Sequence, residues 1–374
     1  MKVPQFMPFV GKEEYDAIKQ CFDTNWITEG PLSKEFNQKL LERIGAKYGV
    51  FAPNGTLALV LAMKALGIGP GDEVIVPSVT FFASGTAVEF LGAKPVFVDV
   101  CEDVQINVED CDRVLSERTK AIMPVHLFGF TPNMDLVMDY AKKNNLLVVE
   151  DAAQAFGIRW KDKGCGSFGD AGTFSFFADK TLTTAEGGFV TTNREDVYEK
   201  LLYLRNQGRR DRGSFIHPEV GYNFRMTDIQ SAIGLAQLKK FDDLVEKKNW
   251  IHEKYTELFS NFKHVDIFQP PENVNPFVPF RVILRTKNNE SDELMQYMRD
   301  NDVEPRMFFY PLHRQPAFEY LKNDSRYDSE HFQVAEKLYN NGICLPSFVA
   351  ISEEQIDYVA NVIKSFYSFE GGKN

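Results

Sequence analysis

Lys180 lies in Gly172-Thr-Phe-Ser-Phe-Phe-Ala-Asp-Lys180-Thr-Leu-Thr-Thr-Ala-Glu-Gly-Gly188, where an apolar, β-prone stretch runs into a lysine and a loop of small residues follows. An ammonium at the mouth of a buried strand is poorly solvated. Desolvation lowers its pKa and frees the amine to attack an aldehyde. Earlier in the chain, Leu146-Leu-Val-Val-Glu-Asp151 ends another apolar run in a carboxylate. A lysine to hold an aldehyde as an imine, and an acid to keep a ring nitrogen protonated, are what pyridoxal phosphate (PLP) requires.

Other residues extend this chemistry. Asn54-Gly55-Thr56 opens a helical stretch; free N–H groups at a helix start suit a phosphate, and glycine lets the backbone approach it. Ser175 offers a hydroxyl to the same phosphate, and one ring of the pair Phe81-Phe82, after a strand end, offers a face to stack on a flat heterocycle. Each has a plainer reading alone: Asn-Gly as a turn and cap, Ser175 as structural, either ring of Phe81-Phe82 as core, Asp151 as a helix cap, Lys180 as a solvated loop lysine. Together they form one ordered constellation, every member at a strand end or a helix start.

The elements that must position them follow from periodicity. Residues 56–66 have helical spacing; residues 73–77, 95–100, 121–125, 146–151, 173–177 and 189–192 are short apolar runs, with helical stretches such as 134–144 between several of them. The alternation predicts an α/β fold, a mostly parallel sheet with helices on both faces. Ligands in such sheets collect at the carboxyl ends of strands, where Ser78, Asp151 and Lys180 fall. A long helix is expected from Asp228, with Thr227 as N-cap and Gln230 completing a capping box, to about Phe259 as a connector. Beyond it a strand (280–285), a helix (291–301) and a terminal helix (356–366, preceded by Ser352 and Gln355) predict a smaller α+β unit. The expected division is a large domain, 1–247, and a small one, 248–374.

Composition bounds the function. With 374 residues, 44% hydrophobic and 25% charged, the chain has the make-up of a globular protein too large for one small core. A net charge of -11 argues against nucleic acid as a partner, since backbone binding needs excess Lys and Arg. The five cysteines are scattered without C-x-x-C pairing, so neither a metal nor a disulfide framework is expected. No apolar leader core precedes a cleavage site, and no run approaches about 18 apolar residues, so a cytoplasmic location without membrane contact is expected.

Motifs along nearly the whole chain carry a resemblance: Trp26-Ile-Thr-Glu-Gly30, Asn54-Gly-Thr56, Gly69-Pro-Gly-Asp-Glu-Val-Ile-Val-Pro77, Pro124-Val-His-Leu127, Glu150-Asp-Ala-Ala-Gln154, Thr173-Phe-Ser-Phe-Phe177, Lys180 with Glu186-Gly-Gly188, and Gly221-Tyr-Asn-Phe-Arg-Met-Thr227. The chain resembles the DegT/DnrJ/EryC/StrS family of PLP-dependent nucleotide-sugar aminotransferases, of the aspartate-aminotransferase fold (PLP fold type I). The resemblance implies Lys180 as the imine lysine and proton shuttle, Asp151 on the pyridine nitrogen, Gln154 near the phenolic oxygen and Phe81 stacked on the cofactor. It places Gly55, Thr56 and Ser175 on the phosphate. Asn223 would reach the neighbouring subunit's phosphate, which implies a homodimer with shared active sites. Trp26, Thr28, Arg225, Arg306 and His313 match substrate-side stretches, although Arg306 also reads as a surface ion pair and His313 as a packed histidine.

The implied partners are L-glutamate and a nucleotide-linked 4-keto-6-deoxyhexose. Arg205-Asn-Gln-Gly208 and Ala232-Ile-Gly-Leu-Ala-Gln-Leu238 are most similar to the branch acting on GDP-4-keto-6-deoxymannose, with dTDP- or UDP-linked keto sugars, aminated at C4 or C3, as the alternative. Three stretches depart from that branch: Ala178-Asp179 before the lysine in place of Gly-Asn, Glu304-Pro-Arg-Met307, and Glu29-Gly-Pro-Leu. Two rivals share the scaffold. Sugar dehydratases carry histidine where this chain has Lys180, and a non-catalytic regulator would leave glutamate unused.

Overall fold

The computed structural model describes residues 1–209, 213 and 215–370. The apolar runs of the first half form a seven-stranded sheet. In spatial order its strands are Tyr48–Ala52, Gly188–Thr192, Ala171–Ser175, Leu147–Asp151, Thr119–Ile122, Glu73–Pro77 and Lys94–Val98. Gly188–Thr192 runs antiparallel to both neighbours and the remaining pairings are parallel, a mostly parallel mixed sheet. Strands expected at 73–77, 146–151 and 189–192 appear within a residue of those bounds. The pattern does not announce the edge strand Tyr48–Ala52, whose short run is interrupted by Gly49. That glycine is structural, because a Cβ there would sit 2.2 Å from the Phe189 ring.

Alternate side chains of each strand enter different cores, as the pleat requires. Val74, Val76 and Phe97 join one buried cluster; Ile75, Val96 and Val98 join the other, on the opposite face. Helix Gly55–Ala65 is apolar all round and largely buried, as expected of a helix enclosed by the protein. Helices therefore cover both faces, and the strands' carboxyl ends form the working edge.

The connector begins as expected. Thr227 caps Gln230 N–H while the Gln230 side chain accepts from Thr227 N–H. The helix runs Asp228–Lys239, breaks at Lys240, and resumes as Phe241–Phe259. Beyond it lies an antiparallel four-stranded sheet in the order Val265–Ile267, Val282–Thr286, Gly342–Leu345, Arg306–Met307. Its third core packs against helices Ser291–Asp300 and Glu353–Glu370. The Ser352–Gln355 capping box is present. Only one of these four strands was legible beforehand, because the others are short and their partners are distant in sequence. Among the described residues, no helix is long and apolar enough to cross a membrane.

Candidate active site

The strand Ala171–Ser175 delivers the lysine. After it, residues 176–187 close on themselves: Phe176 N–H donates to Gly187 O, Thr184 N–H to Phe176 O, and Lys180 N–H to Phe177 O. The Thr183 and Thr184 hydroxyls brace the loop from inside, and Gln230 Nε2 holds Glu186 O from outside. Gly187 cannot be enlarged, since a Cβ would lie 2.4 Å from Thr184 Oγ1 and 2.8 Å from Met226 Sδ. The Lys180 side chain is 15% exposed, with Nζ 4.5 Å from the Phe280 ring centroid and 3.9 Å from Asp179 Oδ1. Burial depresses its amine pKa, opposed by the carboxylates of Asp179 and Asp151 and reinforced by Arg281 and Arg306.

Asp151 closes the neighbouring strand. Its backbone is gripped on both sides: Asp151 N–H donates to Pro124 O, His126 N–H to Asp151 O, and Ala152 N–H to Thr173 O. Ser84 Oγ donates to Asp151 Oδ2 at 2.7 Å, Ala153 N–H reaches Oδ1 at 3.2 Å, and Thr80 Oγ1 lies 2.9 Å from Ser84 Oγ. Hydrogen bonds to both oxygens hold the buried carboxylate in one orientation. Next to it, Glu150 accepts from the N–H groups of Gly166, Phe168 and Gly169 and pairs with His126, so the following loop is fastened under the acid. Gln154 Oε1 accepts from Phe128 N–H at 2.6 Å, which turns its amide nitrogen the other way.

The predicted phosphate cradle is built by contact. Asn54 Oδ1 caps Leu57 N–H, while Gly55 and Thr56 occupy first-turn positions whose N–H groups have no partner within a helix. A Cβ on Gly55 would stand 2.7 Å from Ser175 Cβ and 3.1 Å from its Oγ, so helix start and strand end touch only because residue 55 is glycine. Gly188 is likewise pressed against Asn54 O.

Phe81 is 57% exposed and meets Phe309 edge-on at 6.1 Å, leaving a ring face open. Arg306 Nη1 lies 3.7 Å from Asp179 Oδ2, which brings it to the lysine side. Trp26, Thr28, Asn223 and Arg225 gather elsewhere: Trp26 folds over Gly30, Thr28 O accepts from Asp228 N–H, and Arg225 Nε donates to Asn223 Oδ1. Gln230 joins this second group to the lysine loop through Glu186. His313 takes the packed role. Its Nδ1 lies 2.6 Å from Ser78 Oγ, its Nε2 3.0 Å from Glu336, and its ring stacks on Phe332. Burial, with Arg314 nearby, pushes its pKa down to about 3, so it is neutral.

Ser84, Thr80, Phe128 and Arg281 escaped the sequence reading. Ser84 meets Asp151 across 67 positions with no local signal. Arg281 did leave one: a charge inside the apolar run Phe280-Arg-Val-Ile-Leu284 has to find a partner if that run is buried.

A half-buried amine, a fastened acid and a glycine-walled cradle at the carboxyl edge of this sheet fit PLP and define a PLP-dependent aminotransferase. The model of the DegT/DnrJ/EryC1/StrS aminotransferase family matches residues 8–364, and the chain belongs to that family. It is 39% identical over 371 residues to GDP-perosamine synthase of Escherichia coli O157:H7, covering 98% of this chain and 99% of that one. The GDP-perosamine synthase of Caulobacter vibrioides is 37% identical over 359 residues, 94% and 95% of the two chains. The PLP form of Spr1654 from Streptococcus pneumoniae has a TM-score of 0.92 at 27% identity, covering 98% of each chain.

Proposed function

We propose that the protein transfers the amino group of L-glutamate to the C4 ketone of GDP-4-keto-6-deoxymannose, giving GDP-perosamine and 2-oxoglutarate. The observation that carries this reading is the 39% identity, over practically the full length of both chains, to a relative of that name.

PLP, when bound, supplies an electron sink for the carbanion at the reacting carbon. In this reading Lys180 Nζ anchors it, takes the α-proton of glutamate in the first half-reaction, and returns a proton to sugar C4 in the second. One base on one face fixes the configuration of the new amine. Asp151 keeps the ring nitrogen protonated, with Ser84 holding the carboxylate in place. Gln154 presents its amide nitrogen to the phenolic oxygen, and Phe81 covers a ring face. Gly55, Thr56 and Ser175 hold the phosphate.

The second group of residues works in a homodimer. Asn223 is exposed in the single chain, as are Trp26, Ile27 and Phe177, which supports a partner's covering them. Trp26, Thr28, Arg225 and Arg306 meet the nucleotide sugar, and His313 contributes through its packing between Ser78, Glu336 and Phe332. The domains divide at 247/248, inside helix Phe241–Phe259.

The test is the mass of the nucleotide sugar after incubation with PLP, L-glutamate and GDP-4-keto-6-deoxymannose. Replacement of the keto oxygen by an amine supports the reading. An unchanged sugar, while glutamate still bleaches the visible absorbance, refutes this substrate and moves the search to dTDP- and UDP-linked keto sugars.

A further inference from the structure

The residue before the lysine is an aspartate with a specific partner across the seam between the two sheets. Asp179 Oδ2 accepts from Arg281 Nη2 at 2.6 Å, and these side chains are only 12% and 4% exposed. The other oxygen, Oδ1, is buried without a hydrogen-bond partner among the described residues and lies 3.9 Å from Lys180 Nζ. Arg281 immediately precedes the strand Val282–Thr286. Its guanidinium and the Lys180 amine share the Phe280 ring, at 4.7 and 4.5 Å from its centroid. The Phe280 backbone is fixed in turn by Lys248, whose amine donates to Phe280 O and Ser347 O.

The charged groups facing the Lys180 nitrogen can be ranked. Asp179 comes from its own loop and Asp151 from the adjacent strand end; Arg281 immediately precedes a strand of the small sheet and Arg306 lies in one, and Lys248, on helix Phe241–Phe259, lines the same cavity. Arg306 is 55% exposed and 3.7 Å from Asp179, so water screens it. Arg281 and Asp179 are dry, in contact, and opposite in sign, where Coulomb terms are strongest.

We propose that Asp179 and Arg281 form an opposed charge pair that sets the proton affinity of the Lys180 nitrogen, making both positioning residues for the transfer. The proposal rests on Lys180 as the cofactor-bearing lysine. The carboxylate favours the protonated nitrogen and the guanidinium disfavours it. Because Arg281 leads directly into the small-sheet strand Val282–Thr286, the placement of that sheet is coupled to the reactivity of the amine.

The experiment uses the full chain loaded with PLP. Borohydride reduction and peptide mass spectrometry come first: a label on Lys180 upholds the underlying reading, and a label elsewhere ends both. The visible spectrum is then titrated with pH for the wild type, Asp179→Asn, Arg281→Met and the double variant. Asp179→Asn should move the midpoint to lower pH and Arg281→Met to higher pH, each by about tenfold in proton affinity, with the double variant returning near the wild type. Asp179→Glu, which keeps the charge, should hold the wild-type midpoint. Midpoints that stay put while melting temperatures fall would make the pair a structural brace and overturn the proposal, as would two single-variant shifts of the same sign. Should Asp179→Asn fail to fold, Arg281→Met alone decides, an upward shift being required.

Discussion

Gly55→Ala tests the cradle with one methyl group. The added Cβ would lie 2.7 Å from Ser175 Cβ, whereas ordinary contact begins at 3.4 Å, so helix start and strand end must part by about 0.7 Å. Neither side yields easily. Ser175 Cβ is rooted in a strand paired to Gly188–Thr192, and helix Gly55–Ala65 is buried along most of its length. N–H···O bonds work near 2.9 Å, so a shift of that size takes a first-turn N–H out of bonding range of a phosphate oxygen. Losing one charge-assisted bond costs about 2 kcal/mol, or about 30-fold in PLP affinity. The assay is titration of cofactor-free protein with PLP, followed by visible absorbance. Gly69→Ala is the control, because nothing among the described residues lies within 4 Å of a Cβ there. Binding by Gly55→Ala within threefold of the wild type would refute the reasoning, since the cradle would then not depend on the close approach.

Lys180→Ala should lower turnover by at least about 10²–10⁴-fold, the usual contribution of a positioned proton carrier, while PLP remains bound through its phosphate; full activity in coupled 2-oxoglutarate release would end the mechanism. Lys248, fully enclosed, has its pKa pushed down by burial to about 7 from an ordinary 10.5. The unfolded chain therefore binds the extra proton between those values, and stability should rise with pH across that window by up to about 1.4 kcal/mol per unit, a slope that Lys248→Met should remove in denaturant melts at pH 7 and 9. Gly234→Ala sets propensity against packing. A helix gains about 1 kcal/mol from alanine, but the Cβ would lie 2.3 Å from the buried Phe36 ring, and overpacking costs about 1–3 kcal/mol, so a lower melting temperature is expected.

Much of the site was legible because its signals are local. A strand that ends in a carboxylate, a helix that opens on Asn-Gly-Thr, and a lysine followed by Glu-Gly-Gly are each contained in a few consecutive residues. Backbone period and cap chemistry act over that same range. The connector helix was legible for the same reason, through Thr227 and Gln230. Strands such as Arg306–Met307 were not, since two residues carry no period and exist only through pairing with Gly342–Leu345.

The amino-acid sequence by itself determined the α/β alternation, the capped helices and the placement of a lysine and an acid after the ends of neighbouring strands. The tertiary structure alone decided what surrounds them. Ser84 reaches Asp151 across 67 positions and Arg281 reaches Asp179 across 102, and neither pairing exists until the strand order is set. It also decided that His313 spends both ring nitrogens inside the protein and that Gly55 touches Ser175. The physical reason is that desolvation and Coulomb energy depend on distance in space, and distance in space between remote segments is a property of the packed sheets rather than of any stretch of chain.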